Sequence, residues 1–289
     1  MVTRVLRHDF PLEGFRDDVQ SLVTSTNRVI DRLERSEMSR SRALETTLTV
    51  AKSLCADDPE ATKFSTWEAW ITAMQVGSAL FAAGTATEGP VPCRIGVDGD
   101  MRNLPATGPQ PYLHAGAWLT SWYLATICRD NSRLEQLAHV PVSFLRASGA
   151  EFDTYVYDWV EALQNFWNGR ADLMWEKVTA AVKGTDPARV RIADQELLLK
   201  ILYPPLELFH LYQRQETERF NETLANALQW HKEYWTADEE RSRSSDGLVA
   251  LGPLALACMT RDADMPIEVE SEYLPRELLN FGWVGEVES

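Results

Sequence analysis

Side chains able to do chemistry are present in this sequence, but their spacing does not group them. Glu207-Leu208-Phe209-His210 is its one Glu-x-x-His element. A carboxylate-bridged di-iron centre in a helical bundle needs two such pairs and two further Glu, so His210 is expected to be a hydrogen-bonded interhelical residue. Asp17-Asp18 and Asp57-Asp58 are the Asp doublets. Neither has the repeated acids of an aspartate-rich magnesium motif, and both are expected to be exposed. A nucleophile must lie near a His that an acid orients. No local signature marks such a group among five His and four Cys, and His114 with Cys128 is the pair to inspect first.

The remaining motifs read as structure. Cys55, Cys93, Cys128 and Cys258 lack the close spacing of a zinc site or a redox dithiol. They are expected as small buried hydrophobes in a reducing compartment. His231 lies on an apolar helical stripe and reads as a satisfied core histidine. The glycines of 84–111 do not sit between a strand and a helix with phosphate-loop spacing. No metal or cofactor is expected, and no catalysis.

Charge narrows the partners. The net charge is −15 at pH 7, and no Lys/Arg cluster supplies the basic face that nucleic acid requires. The acid excess is concentrated late: from Asp262 to Ser289, Arg276 is the one base among many acids. The N-terminus shows no apolar segment of a secretion signal, so a cytoplasmic protein is expected. Ala69 to Thr87 carries no charge, but its polar residues and single large apolar stripe predict a buried helix rather than a membrane span.

Helical periodicity runs through most of the chain. Phe15, Val19, Leu22, Ile30 and Leu33 mark a first amphipathic helix; Leu44, Leu48, Ala51 and Cys55 mark a second. Ser65-Thr66-Trp67-Glu68 and Ser132-Arg133-Leu134-Glu135 have the form of capping boxes. Asp153 is placed to cap a helix that Gly169 stops, and Asp186-Pro187 to open one that Pro204-Pro205 kinks or ends. Phe220, Leu224, Ala227, Leu228, His231 and Trp235 form a further stripe. A polar loop, Thr236 to Ser245, then leads to a last long helix from Gly247 to Met259. Between Gly84 and Pro111, Cys93–Val97 and Met101–Leu104 flank Asp98-Gly99. That step favours a tight turn, so a small β-hairpin is expected, the only sheet. The fold class is all-α, an irregular multi-helix bundle or α-solenoid-like stack in one domain spanning 1–289, with 84–111 as a hairpin-containing insertion. The tryptophans, at helical spacings, read first as core.

Several segments carry a resemblance. They are Trp118–Ala125 (WLTSWYLA), Ser148–Asp153 (SGAEFD), Tyr157–Leu163 (YDWVEAL), Tyr203–Glu207 (YPPLE), Trp230–Trp235 (WHKEYW) and Gly247–Ala257. With these the chain resembles the immunity protein 49 family of bacterial polymorphic-toxin systems. The resemblance is weakest over residues 1–60. It implies an all-α fold and a protein that binds and neutralises a cognate toxin; such toxins are often basic nucleases, which agrees with the acidic balance. An acidic inhibitor associates quickly with a basic enzyme. The surface expected to meet the toxin comprises Asp238, Glu239 and Glu240 in the late polar loop. It also includes Glu268, Glu270 and Glu272, whose alternation puts them on one side of an extended segment. The competing readings are a helical adaptor for an endogenous protein and an enzyme with a site of scattered helical residues.

Overall fold

The structure, a computed structural model, describes residues 2–12, 15–96 and 101–283. The chain opens on a two-residue strand, β1 (Thr3–Arg4), followed by α1 (Phe15–Ile30), α2 (Glu37–Leu54) and α3 (Phe64–Thr85). The hairpin β2 (Val91–Arg94) and β3 (Met101–Leu104) interrupts the helices. Its antiparallel register pairs Val91 with Leu104 and Cys93 with Arg102; the Asp98-Gly99 turn lies outside the described residues. Next come α4 (Ala115–Ile127), α5 (Asn131–Ala138), α6 (Val142–Arg146), α7 (Thr154–Trp167) and α8 (Ala171–Gly184). The last part holds α9 (Gln195–Leu197), α10 (Pro204–Gln213), α11 (Thr217–Trp235), α12 (Glu239–Ser242), α13 (Leu251–Asp262), β4 (Val269–Glu270) and α14 (Arg276–Asn280).

The all-α class holds, but the hairpin is not the only sheet. β1 pairs in parallel with β4, Thr3 opposite Val269 and Arg4 opposite Glu270. Two residues per strand leave no alternation to detect in sequence. One contiguous core runs through the fold, with Trp67, Trp70, Trp118, Trp122 and Trp159 nearly inaccessible in it. α3 is buried along most of its length. Among the described residues no helix is long and apolar enough to cross a membrane.

Helix starts depart from the motif reading because upstream acids fix where each helix begins. α3 begins at Phe64, and Ser65 does not cap it. Asp58 accepts instead from the Thr62 and Lys63 amides (2.9 and 2.8 Å) and from the Thr62 and Thr66 hydroxyls (2.8 and 2.7 Å). Asp58 is therefore buried, contrary to the expectation for the Asp57-Asp58 doublet, whereas Asp57 is exposed. α5 is capped by Asp130, which accepts from the Arg133 amide, not by Ser132. Asp186 folds back on the Ala188 amide in a turn, and the next helix starts only after Asp194.

Pro204 and Pro205 do kink their helix. Neither can donate to the carbonyl four residues back, and the chain answers with a π-helical turn over Leu198–Leu202, where the Tyr203 amide reaches the Leu198 carbonyl at 2.8 Å. The expected helix from Gly247 is split as well. A 3₁₀ turn (Ser245–Leu248) precedes α13, because the Ala250 amide turns aside to the Tyr273 carbonyl (3.1 Å). Gly252 lets α13 approach α10 closely: a Cβ there would lie 2.6 Å from Pro205 Cγ.

Candidate functional site, an apolar groove and two acidic clusters

The residues first suspected of chemistry are committed to holding the fold. His114 caps α4 by accepting from the Ala117 amide at Nδ1 (3.0 Å), while Cys128 closes the other end of the same helix. Fourteen residues at 1.5 Å each separate them by about 20 Å, so they form no pair. His210, half-buried, packs edge-on against Trp175 (5.5 Å). All four cysteines are free and buried. Burial pushes the thiols of Cys55 and Cys258 up to about 12 and about 11. Among the described residues no three His, Cys, Asp or Glu side chains form a group that could hold a metal ion.

His231 is a core histidine, its Nε2 donating to the Gly247 carbonyl (3.0 Å). Burial drives its pKa down to about 3, beyond what that hydrogen bond restores. Its ring meets Tyr273 edge-on at 4.9 Å, and the Tyr273 hydroxyl accepts from the His8 amide. The Lys52–Asp246 ion pair (2.7 Å) lies alongside.

From this corner a groove of about 640 Å³ runs along one face. Its floor and walls are mostly apolar: Leu48 of α2, Leu119 and Tyr123 of α4, Phe152 before α7, and Val156 and Trp159 within it. Leu197 and Ile201, from α9 and the π-helical turn, also line it, as do Trp235 of α11 and Leu251 of α13. The prolines shape the groove, since the widened turn they impose presents these residues.

Asp153 sets another wall. It stands at the N-cap of α7 as expected, yet its carboxylate makes no capping bond there. It accepts instead from the amides of Arg191 (2.8 Å), Ile192 (3.2 Å) and Ala193 (3.0 Å). Burial alone would raise its pKa, but these backbone donors hold it below the ordinary Asp value. The 191–193 segment is thereby fastened beside the groove.

Two phenols lie in this lining. The Tyr123 hydroxyl accepts from Trp159 Nε1 (3.0 Å). The Tyr155 hydroxyl is buried and has no hydrogen-bond partner. Burial raises both pKa values, and for Tyr155 the nearby Asp153 and Tyr123 add to the rise. Both groups are neutral donors at physiological pH. The groove had no sequence signature, since its residues come from segments as distant as Leu48 and Pro253.

The suspected acids occupy two exposed places. Asp238 caps the short helix α12, accepting from the Arg241 amide (2.8 Å) and pairing with its guanidinium (3.3 Å). Glu239 pairs with Arg243 (2.7 Å), and Arg241 also holds Glu196 (2.9 Å). The stretch expected as loop thus contains a helical turn with its own bases. Glu268, Glu270 and Glu272 flank the buried Val269 and alternate outward along β4 and its continuation. Glu272 pairs with Arg7 (3.2 Å).

Fold and site together define an all-α protein with acidic surface clusters and an apolar groove. The family model for immunity protein 49 matches residues 58–278. The chain belongs to that family, and membership supports an immunity function. The match extends back across α3 and the hairpin, upstream of the segments that carry the resemblance. Neither a curated protein nor a solved structure matches the chain.

Proposed function

We propose that this protein binds a cognate bacterial toxin and neutralises it by occlusion, without catalysis of its own, and that the toxin is a basic, nuclease-type domain. The observation that carries the reading is family membership over residues 58–278. The net charge of −15 supports the finer part. An acidic inhibitor would be steered toward an enzyme whose surface is basic enough to hold nucleic acid. Four free thiols, all buried, fit a reducing cytoplasm.

Co-expression with the toxin product of the adjoining gene tests this, with survival and pull-down scored together. Rescue accompanied by a stable complex is expected. A toxin that is lethal alone, and remains lethal and unbound beside this chain, would sink the reading.

A further inference from the structure

We infer that the groove is the anchor site for the toxin: it takes an extended segment that inserts a large apolar side chain and carries Lys or Arg beside it. This deepens the proposed function and rests on it.

Three properties of the groove define that occupant. The first is its size and lining. About 640 Å³ of mostly apolar space lies within the range of sites that bury organic groups, and aromatic and aliphatic anchors seated in such pockets dominate interface energies.

The second is an excess of donors. Tyr155 is 3 % exposed and its hydroxyl has no partner. The Tyr123 hydroxyl accepts from Trp159, which leaves its own proton available. α13 starts at the groove with no side-chain cap, so the amides of Leu251 and Gly252 lack intrahelical acceptors. Buried polar groups are normally satisfied, and an acceptor brought by the occupant would satisfy these. Peptide carbonyls are neutral acceptors spaced along an apolar chain, and they match this set.

The third is charge. The lining holds four carboxylates, Glu151, Asp153, Asp194 and Asp246, against the ammonium groups of Lys52 and Lys200. Lys52 is paired with Asp246, and Lys200 with Glu196 and Glu233. The rim therefore favours a cationic neighbour over an anionic one, which excludes an acidic peptide or a fatty-acid headgroup.

Two variants of the full chain separate the groove from the fold. Thr120→Trp, on α4 in the lining, fills the space; Tyr155→Phe removes one unpartnered hydroxyl. Against the toxin domain of the adjoining gene, Thr120→Trp should weaken binding at least 100-fold and abolish protection. Tyr155→Phe should weaken it about tenfold, the loss of one hydrogen bond, with a melting temperature equal to or above the wild type. The uncharged fluorophore prodan, a naphthalene bearing one ketone, should bind the wild type once per chain with blue-shifted emission and leave when toxin is added. Toxin binding unchanged in Tyr155→Phe and in folded Thr120→Trp, or toxin that leaves prodan in place, would overturn the groove assignment while the immunity reading stood. A wild-type chain that neither binds nor protects would remove both.

Discussion

Asp58 and Tyr155 are both buried polar side chains, at 5 % and 3 % exposure, and they have opposite surroundings. Asp58 accepts four hydrogen bonds within one turn of chain. The Tyr155 hydroxyl has none. A buried donor without a partner costs about 1–3 kcal/mol. Asp58 joins α2 to α3 and is satisfied from within, while Tyr155 lines the groove with an unspent donor; the core indoles of Trp67, Trp70 and Trp122 are unpartnered too. Substitutions at these two residues, Asp58 and Tyr155, should therefore separate stability from recognition.

The sharpest division should come from Asp58→Ala. It strands two amides at the entry to α3 and frees two hydroxyls, so a loss of about 3–4 kcal/mol is expected. In a chain of this size that lowers the melting temperature by about 10 °C, with toxin affinity unchanged for the folded fraction. A melting temperature within 2 °C of wild type would show that the corner does not hold α2 to α3.

Acid should act next, and again on the fold. His231 has a pKa of about 3 when folded, against 6.5 for the ordinary side chain, because burial opposes its charging. Between these values the unfolded chain binds the proton and the folded chain does not. The contribution is complete above pH 6.5 and lost as pH falls, at about 1.4 kcal/mol per unit well below 6. Asp58 and Asp153, both held below the usual Asp pKa, extend the loss to lower pH. His8, also depressed by burial beside Arg7 and Lys232, adds to it near neutrality. Denaturant melts from pH 7 to pH 4 should show the slope, and His231→Gln should flatten it. An identical slope in that variant would assign the acid sensitivity to other groups.

How much of this was legible in sequence follows the same line. The periodic stripes, the buried tryptophans, the hairpin strands and the kink at Pro204-Pro205 depend on local pattern, and each is found. Caps were misread because each helix begins upstream of its serine: Asp130 caps α5 two residues before Ser132, and Asp58 holds the turn that leads into α3 before Ser65. Asp153 kept its position but turned its carboxylate to residues some forty positions away, which no local motif records. The parallel pairing of β1 with β4 and the assembly of the groove depend on contacts between distant segments, and single side chains such as Thr120 or Tyr155 show nothing of them.

The smallest effects are expected at the acidic clusters, and they distinguish the two. Reversing Asp238, Glu239 and Glu240 to Lys should cost about 1 kcal/mol, because Asp238 caps α12 and its partners Arg241 and Arg243 would then face like charge. Reversing Glu268, Glu270 and Glu272 should cost about as much, since Glu272 pairs with Arg7, whose side chain is 9 % exposed and would then face like charge. For toxin association the two should differ. Asp238 and Glu239 have arginines within their own helical turn, whereas between Asp262 and Glu277 the sequence offers one base, Arg276. At low salt the β4 reversal should slow association several-fold and the α12 reversal less, with both differences shrinking as salt rises. Stopped-flow association at two ionic strengths measures this. Equal, salt-independent rates for a cluster would remove it from the approach path and leave the groove to carry recognition alone.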